Sequence, residues 1–345
     1  IGSLLGATAI APLAAAGLLG VWGWPALFWC AVPLAIAVAW IAGPHLSRET
    51  VPVGERSEEH WGWLLWLVAG IFGLQYAIHE IPSEAASSRS LVFGVGIASI
   101  IALSVFAWRQ WQKDKPLIDY RGLFQWRYLL GIALYFFGYF IAGTTGFLLP
   151  ILFSEGLGLS LATTALVLSF SFFGSVAAAL LHAAVASRRP RPRIFMLTGL
   201  ALYAIACLGF SQAGRLTDWH LLLLPALICG IAIPCFIGPV AFGTFVDLPP
   251  KVFSHGYQVK NIVRQLGISS SIALSTVALQ FFYARRLAVL PEGFHPDWAQ
   301  ALHGLSGANA GLVSPLTLAS GDVFFLLALS TLPMVLIVIG QRIFR

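Results

Sequence analysis

The chain has 345 residues, 58% of them hydrophobic and 10% charged, with a formal net charge of +6 and a mean hydropathy of +0.84. A soluble domain carries about 25% charged residues and has no core large enough to hide this much apolar surface, so the composition excludes that class and points to a polytopic α-helical membrane protein. The excess of positive charge lies in short segments between apolar runs, where it orients a membrane protein and gives no reason to invoke nucleic acid.

Ten apolar runs reach the ~17 residues that a bilayer demands: 2–20, 25–43, 61–79, 91–109, 128–153, 161–185, 193–212, 219–246, 257–283 and 320–342. If the intervening segments alternate sides, 44–60, 109–127, 186–193, 247–256 and the C-terminus share one side with Lys260. That side holds fifteen of the twenty Lys and Arg residues. The other side holds Arg89, Arg215, Arg285 and Arg286, and the remaining one, Arg264, falls within a run. This asymmetry predicts that 44–60, 109–127 and the C-terminus are cytoplasmic. The chain begins at Ile1 inside an apolar run, which suggests a piece of a longer protein. Cys30, Cys207, Cys229 and Cys235 all lie in apolar runs without a C-x-x-C pair, so neither a disulfide nor a metal site is expected.

In chain order, the first run carries Gly2, then Ala11-Pro12, then Ala14-Ala15, small residues at spacings that allow close approach between helices. Gly23-Trp24-Pro25-Ala26-Leu27-Phe28 opens the second, with Val32-Pro33 after it. A polar linker, 44–60, precedes two further runs and the segment Asp114-Lys115-Pro116-Leu117-Ile118-Asp119. The fifth run places Tyr135 and Tyr139 one turn apart, followed by Gly143-Thr144-Thr145-Gly146. Between the sixth and seventh runs, 187–193 is rich in arginine and has no acid. The run 219–246 contains Pro234 and Pro239, each of which removes a backbone hydrogen bond, so a kink or hinge is expected there.

The ninth run follows a loop, Leu248-Pro249-Pro250-Lys251, and contains Asn261-Ile262-Val263-Arg264-Gln265-Leu266-Gly267. At 100° per residue, Asn261, Arg264, Gln265, Ser271, Ser275 and Thr276 fall in one arc, with Leu274, Val277 and Phe281 opposite. A charge within a lipid-embedded helix is costly, so Arg264 should face protein or a wet cavity. Counted from a helix start at Gln258, it would lie about 9 Å along the axis. Asp322 is expected to open the last helix, and Asp247 to anchor the loop before Pro249.

The N-x-x-R-Q-L-G stretch with its proline loop resembles the penultimate span of the fourteen-helix drug:proton antiporters of the major facilitator superfamily. Gly2, Ala11, Pro12 and Ala15 fall at the spacings of that family's antiporter motif, with alanines in three glycine positions. Residues 114–124 are similar to the family's N-P-L-x-D-L-R-L-F pattern. The acidic, Trp-containing turn that the family often has between its two extra helices is not matched by Ile81–Ser90. The resemblance implies a partial major facilitator fold lacking its first four helices: 1–43 closes an N-terminal bundle, 44–127 is a cytoplasmic linker with two extra spans, and 128–345 is a six-helix C-terminal bundle. It implies a bacterial inner-membrane permease exporting amphipathic or cationic small molecules against inward proton flow, with no cofactor beyond the proton gradient. Some relatives work with a periplasmic adaptor and an outer-membrane channel. The site residues would be Arg264, Asn261 and Gln265 for coupling and gating, Tyr135, Tyr139, Thr144 and Thr145 around the substrate, and Pro234 and Pro239 as a hinge. A uniporter or symporter of the same fold, or a membrane subunit that does not transport, are the alternatives. No G-x-S-x-G, H-E-x-x-H or P-loop is present, and the Ser, His and Asp residues are scattered over different runs, so an enzyme is not expected.

Overall fold

Every described apolar run folds as a helix, because in hydrocarbon a backbone must satisfy its own hydrogen bonds. The computed structural model describes residues 2–45, 59–81, 89–186, 191–215, 218–288, 314–341 and 344. In order, the helices are α1 (Gly2–Trp22), α2 (Pro25–Ala42), α3 (Trp61–Glu80), α4 (Arg89–Gln112), a short α5 (Tyr120–Leu123), α6 (Trp126–Pro150), α7 (Leu161–Ala186), α8 (Pro192–Ser211), α9 (Leu223–Gly243), α10 (Pro250–Leu287) and α11 (Pro315–Gly340). Among the described residues, nine of these are long and apolar enough to span a bilayer, and α1 falls just short over Gly6–Trp22. The protein is therefore an all-α polytopic membrane protein.

Helices α6 to α11 form one bundle, in which α8 packs on α9 and α11, α9 on α7, and α10 on α6 and α11. Its core holds Tyr203, Phe153, Phe210 and Phe324, all essentially inaccessible. Phe210 meets Phe153 edge-on at 6.4 Å and Phe324 at 4.8 Å. Lipid gives no hydrophobic drive for helices to associate, so close backbone contact and interhelical hydrogen bonds carry the packing. Ser171 and Ser175 of α7 donate to the carbonyls of Ala226 and Gly230 on α9, each at 2.7 Å. A Cβ at Gly267 of α10 would stand 2.8 Å from the Phe136 carbonyl oxygen on α6, so only glycine permits this crossing.

Outside the bundle, α1 packs along α7 and α2 packs on α1. Gly174 and Ser175 of α7 face α9. On α1, Ala9 is buried, Pro12 and Ala15 are half-buried, and Ala11 and Ala14 are exposed. Ala11 therefore does not supply the close contact expected of it. Gly2 lies in the helix, but its surroundings fall outside the described residues. Helices α3 and α4 form a hairpin, with Trp66 donating to the Ala102 carbonyl at 3.0 Å. That hairpin rests on the bundle through α3 and α10.

Two helix boundaries correct the sequence expectation. Helix α10 starts at Pro250, which has no N–H to lose at a first helical position, and runs for 38 residues. That is about 57 Å, against a hydrocarbon layer of about 30 Å, so the helix projects well beyond the apolar window that marked it in the sequence. Helix α11 starts at Pro315, so Asp322 lies two turns in and is not a helix-opening charge. Its carboxylate instead accepts two hydrogen bonds from Arg286, at 2.8 and 2.7 Å, tying α11 to the end of α10. Asp247 does anchor its loop, through a 2.9 Å ion pair with Arg127. Helix α9 runs unbroken through Pro234 and Pro239. At the end of α6 the chain passes into one turn of π-helix, Ile151–Gly156, with the Leu157 N–H bonded to the Leu152 carbonyl at 2.9 Å.

Candidate functional site

Of the groups singled out in the sequence, those of α10 and α6 lie on two helices packed together, while Pro234 and Pro239 lie on α9 and the motif residues on α1. Arg264 lies fourteen residues past Pro250, about 21 Å along the axis and not 9 Å. Counted from the other end, it lies 21 residues before Arg285, about 32 Å, close to one hydrocarbon thickness. If Arg285 marks one boundary of the apolar layer, Arg264 falls near the other. Its side chain is half-buried. Among the described residues, no carboxylate pairs with it and no hydrogen-bond acceptor meets it.

Lys260, one turn earlier on the same face, was assigned in the sequence only to a side of the membrane. The structure surrounds its ammonium with three rings: Tyr257 at 4.9 Å, Tyr135 at 5.1 Å and Phe245 at 5.3 Å. Such contacts are attractive because ring faces carry negative charge density, by about 0.5–2 kcal/mol each. Tyr135 is buried on α6 with its ring 4.7 Å from that of the half-buried Tyr139. Lys260 and Arg264 lie one turn apart on one helix face, where like charges repel. The lysine could have been found from its i,i+4 spacing to Arg264, which makes two like charges neighbours on one helix face.

Asn261 is half-buried beside this pair and Gln265 is exposed. Deeper along α10, the polar arc is closed by packing. Ser271 bonds its own helix at the Ile268 carbonyl, 2.6 Å away, and Ser275 donates to Thr144 of α6 at 3.2 Å. Thr145 meets the Tyr203 hydroxyl at 3.0 Å inside the bundle. Thr144 and Thr145 are both buried in these helix contacts, farther along α6 than the half-buried Tyr139. On another face of α10, Ser269 accepts from Gln75 of α3 and lies 3.3 Å from His79 Nε2. Among the described residues, no cluster of His, Cys, Asp or Glu has the makings of a metal site.

The site is thus a cationic pair on a long helix, walled by aromatics, at the boundary depth of the membrane. Two cations in such a setting suit the binding of an anionic group. Comparison with known proteins gives the family. The chain matches the Major Facilitator Superfamily model over residues 1–272. It is 23% identical over 261 residues to the lincomycin resistance protein LmrB of Listeria innocua, covering 74% of this chain and 54% of that protein. It is 24% identical over 299 residues to the multidrug resistance protein B homolog of Mycobacterium tuberculosis, covering 81% and 54%. It is 23% identical over 275 residues to the putative multidrug resistance protein MdtD of Salmonella newport, covering 79% and 57%. The chain spans about half the length of these relatives. With its helices, its close-packed bundle and the model match over most of its length, the chain belongs to the Major Facilitator Superfamily.

Proposed function

We propose that the protein to which this chain belongs is a proton-coupled efflux permease of a bacterial inner membrane. Its substrates are amphipathic small molecules, including drugs. The observation that carries the proposal is the seating of α1 on α7, which joins the start of the chain to the 128–345 bundle along a seam. Two bundles that rock about a seam expose a shared site to each side in turn. The resistance-named relatives support export over import.

In this reading, 1–43 belongs to the first bundle, 44–127 is the linker with its hairpin, and 128–345 is the second bundle. The Lys/Arg asymmetry puts 44–60, 109–127 and the C-terminus in the cytoplasm. Arg264, with Asn261 and Gln265 beside it, is the gating group at the cytoplasmic rim. Tyr135 and Tyr139 form the near wall of the substrate path, with Thr144 and Thr145 behind them. Pro234 and Pro239 allow α9 to bend during closure. The proton gradient supplies the energy, and no cofactor is needed. Coupling through a periplasmic adaptor and outer-membrane channel is an extension of the same reading.

The test is efflux from cells expressing the complete gene product and loaded with ethidium. Adding an energy source should start efflux that a protonophore stops. Efflux no faster than in cells lacking the gene, across a panel of amphipathic dyes and drugs, would overturn the reading.

A further inference from the structure

Lys260 and Arg264 present a net charge of +2 at membrane-boundary depth, and nothing described in the chain neutralises it. The three rings around Lys260 stabilise an ammonium but carry no net charge. Neither cation has a carboxylate partner among the described residues, although other cations of this chain do: Arg127 with Asp247, Lys113 with Glu59 and Arg286 with Asp322. Two like charges one turn apart also repel. Both are half-buried, so water does not fully screen them, and a counter-charge there would be strongly favoured.

We infer that the Lys260–Arg264 pair is a binding site for the negatively charged head of an amphiphile. The guanidinium offers a planar fork that matches a carboxylate or phosphate, and the ammonium adds a point charge one turn away. Depth selects an amphiphile over a small free anion. The pair lies about one hydrocarbon thickness from Arg285, so a head bound here leaves its tail level with the apolar layer. The tail has apolar surface to lie on within that layer, since Leu274 and Phe281 are exposed farther along α10 toward Arg285. The ligand class is an anionic lipid or a free lipophilic acid. The inference rests on the placement of the chain in a membrane and not on the transport reading.

The test uses the complete protein in nanodiscs of phosphatidylcholine with dansyl-undecanoate as the probe and its methyl ester as the neutral control. The acid should bind at least about tenfold more tightly than the ester. Lys260→Gln with Arg264→Gln should remove that preference, while Lys260→Arg, which keeps the charge, should retain it. Phosphatidylglycerol in the nanodisc should compete with the acid if lipid is the resident ligand, and should leave it unaffected if a free acid is; in both cases the charged site stands. If the double variant fails to fold, the wild-type preference for acid over ester still decides the matter. The inference is overturned if wild-type protein binds acid and ester alike and native mass spectrometry finds phosphatidylglycerol retained no better than phosphatidylcholine. It is also overturned if the folded double variant keeps the preference. Ethidium efflux is read separately, so loss of anion binding and loss of transport are distinguishable.

Discussion

At the residue scale, the account turns on Arg264. A half-buried guanidinium without an acidic partner among the described residues is tolerated if it reaches the boundary of the apolar layer, where its charge meets water or a ligand head. Its value to transport would lie in a permanent charge and a fixed fork. Arg264→Ala removes both, and Arg264→Lys keeps the charge but loses the bidentate geometry. Each variant in the complete protein should reach the membrane in normal amount and lose most proton-driven efflux, about tenfold or more, read as dye efflux rate against protein level. Wild-type efflux in Arg264→Ala would leave the residue a structural one. The sequence showed Arg264 plainly, because a lone charge in an apolar run stands out. It hid Lys260, because a lysine near a run's end looks like an orientation signal until the rings from α6 and the loop after α9 close around it. Which small residue of α1 makes the close contact was hidden for a related reason. Small residues on every side of α1 give a helix no dominant face, so spacing alone could not say which of them meets α7.

At the element scale, the spans were legible and their ends were not. Hydropathy reports the layer a helix crosses and says nothing about a helix that continues into water, which is why α10 begins at Pro250 and not at Gln258. The α3–α4 hairpin shows a second kind of hidden feature, a polar knot at its base. Glu59, its side chain only 3% exposed, accepts from Gln110 and Lys113, both at 2.6 Å. Gln110 in turn accepts from the Leu117 amide at 2.7 Å, so the end of the linker, the end of α4 and the segment before α5 are tied together. Arg109 stacks on Trp63 at 4.0 Å beside it. Burial by itself raises the Glu59 carboxyl. The hydrogen bonds from Lys113 and Gln110, with the charges of Lys113 and Arg109, outweigh that and hold it below its ordinary value of 4.5. A carboxyl depressed in the folded state contributes stability that is complete above the unfolded value and is lost as pH falls through the folded one. The hairpin base should therefore be tight at neutral pH and loosen only below about pH 4.5. Glu59→Gln should loosen it at neutral pH by about 1–3 kcal/mol, because Lys113 loses its counter-charge. Amide exchange at Leu117 and in the first turn of α3 reads this directly. Unchanged exchange in the variant at pH 7 would remove the knot from the account.

At the scale of the whole molecule, the bundle of α6 to α11 is held by small-residue crossings and serine-to-carbonyl bonds, and α1 joins it along α7. The fold class was readable from composition and the number of runs, since few architectures satisfy that many apolar helices. What the chain does was readable only through the resemblance of a few short motifs, because a broad cavity is built from ordinary aromatics and small residues with no motif of their own. The exchange of substrate for protons is the central claim, and one measurement tests it most directly. The complete protein is reconstituted into proteoliposomes containing a pH-sensitive dye, and ethidium is added outside with no imposed gradient. The account predicts ethidium uptake accompanied by alkalinisation of the lumen as protons leave in exchange, both abolished by Arg264→Ala. Ethidium uptake that leaves the lumen pH unchanged, in wild-type protein at the same rate, would contradict it.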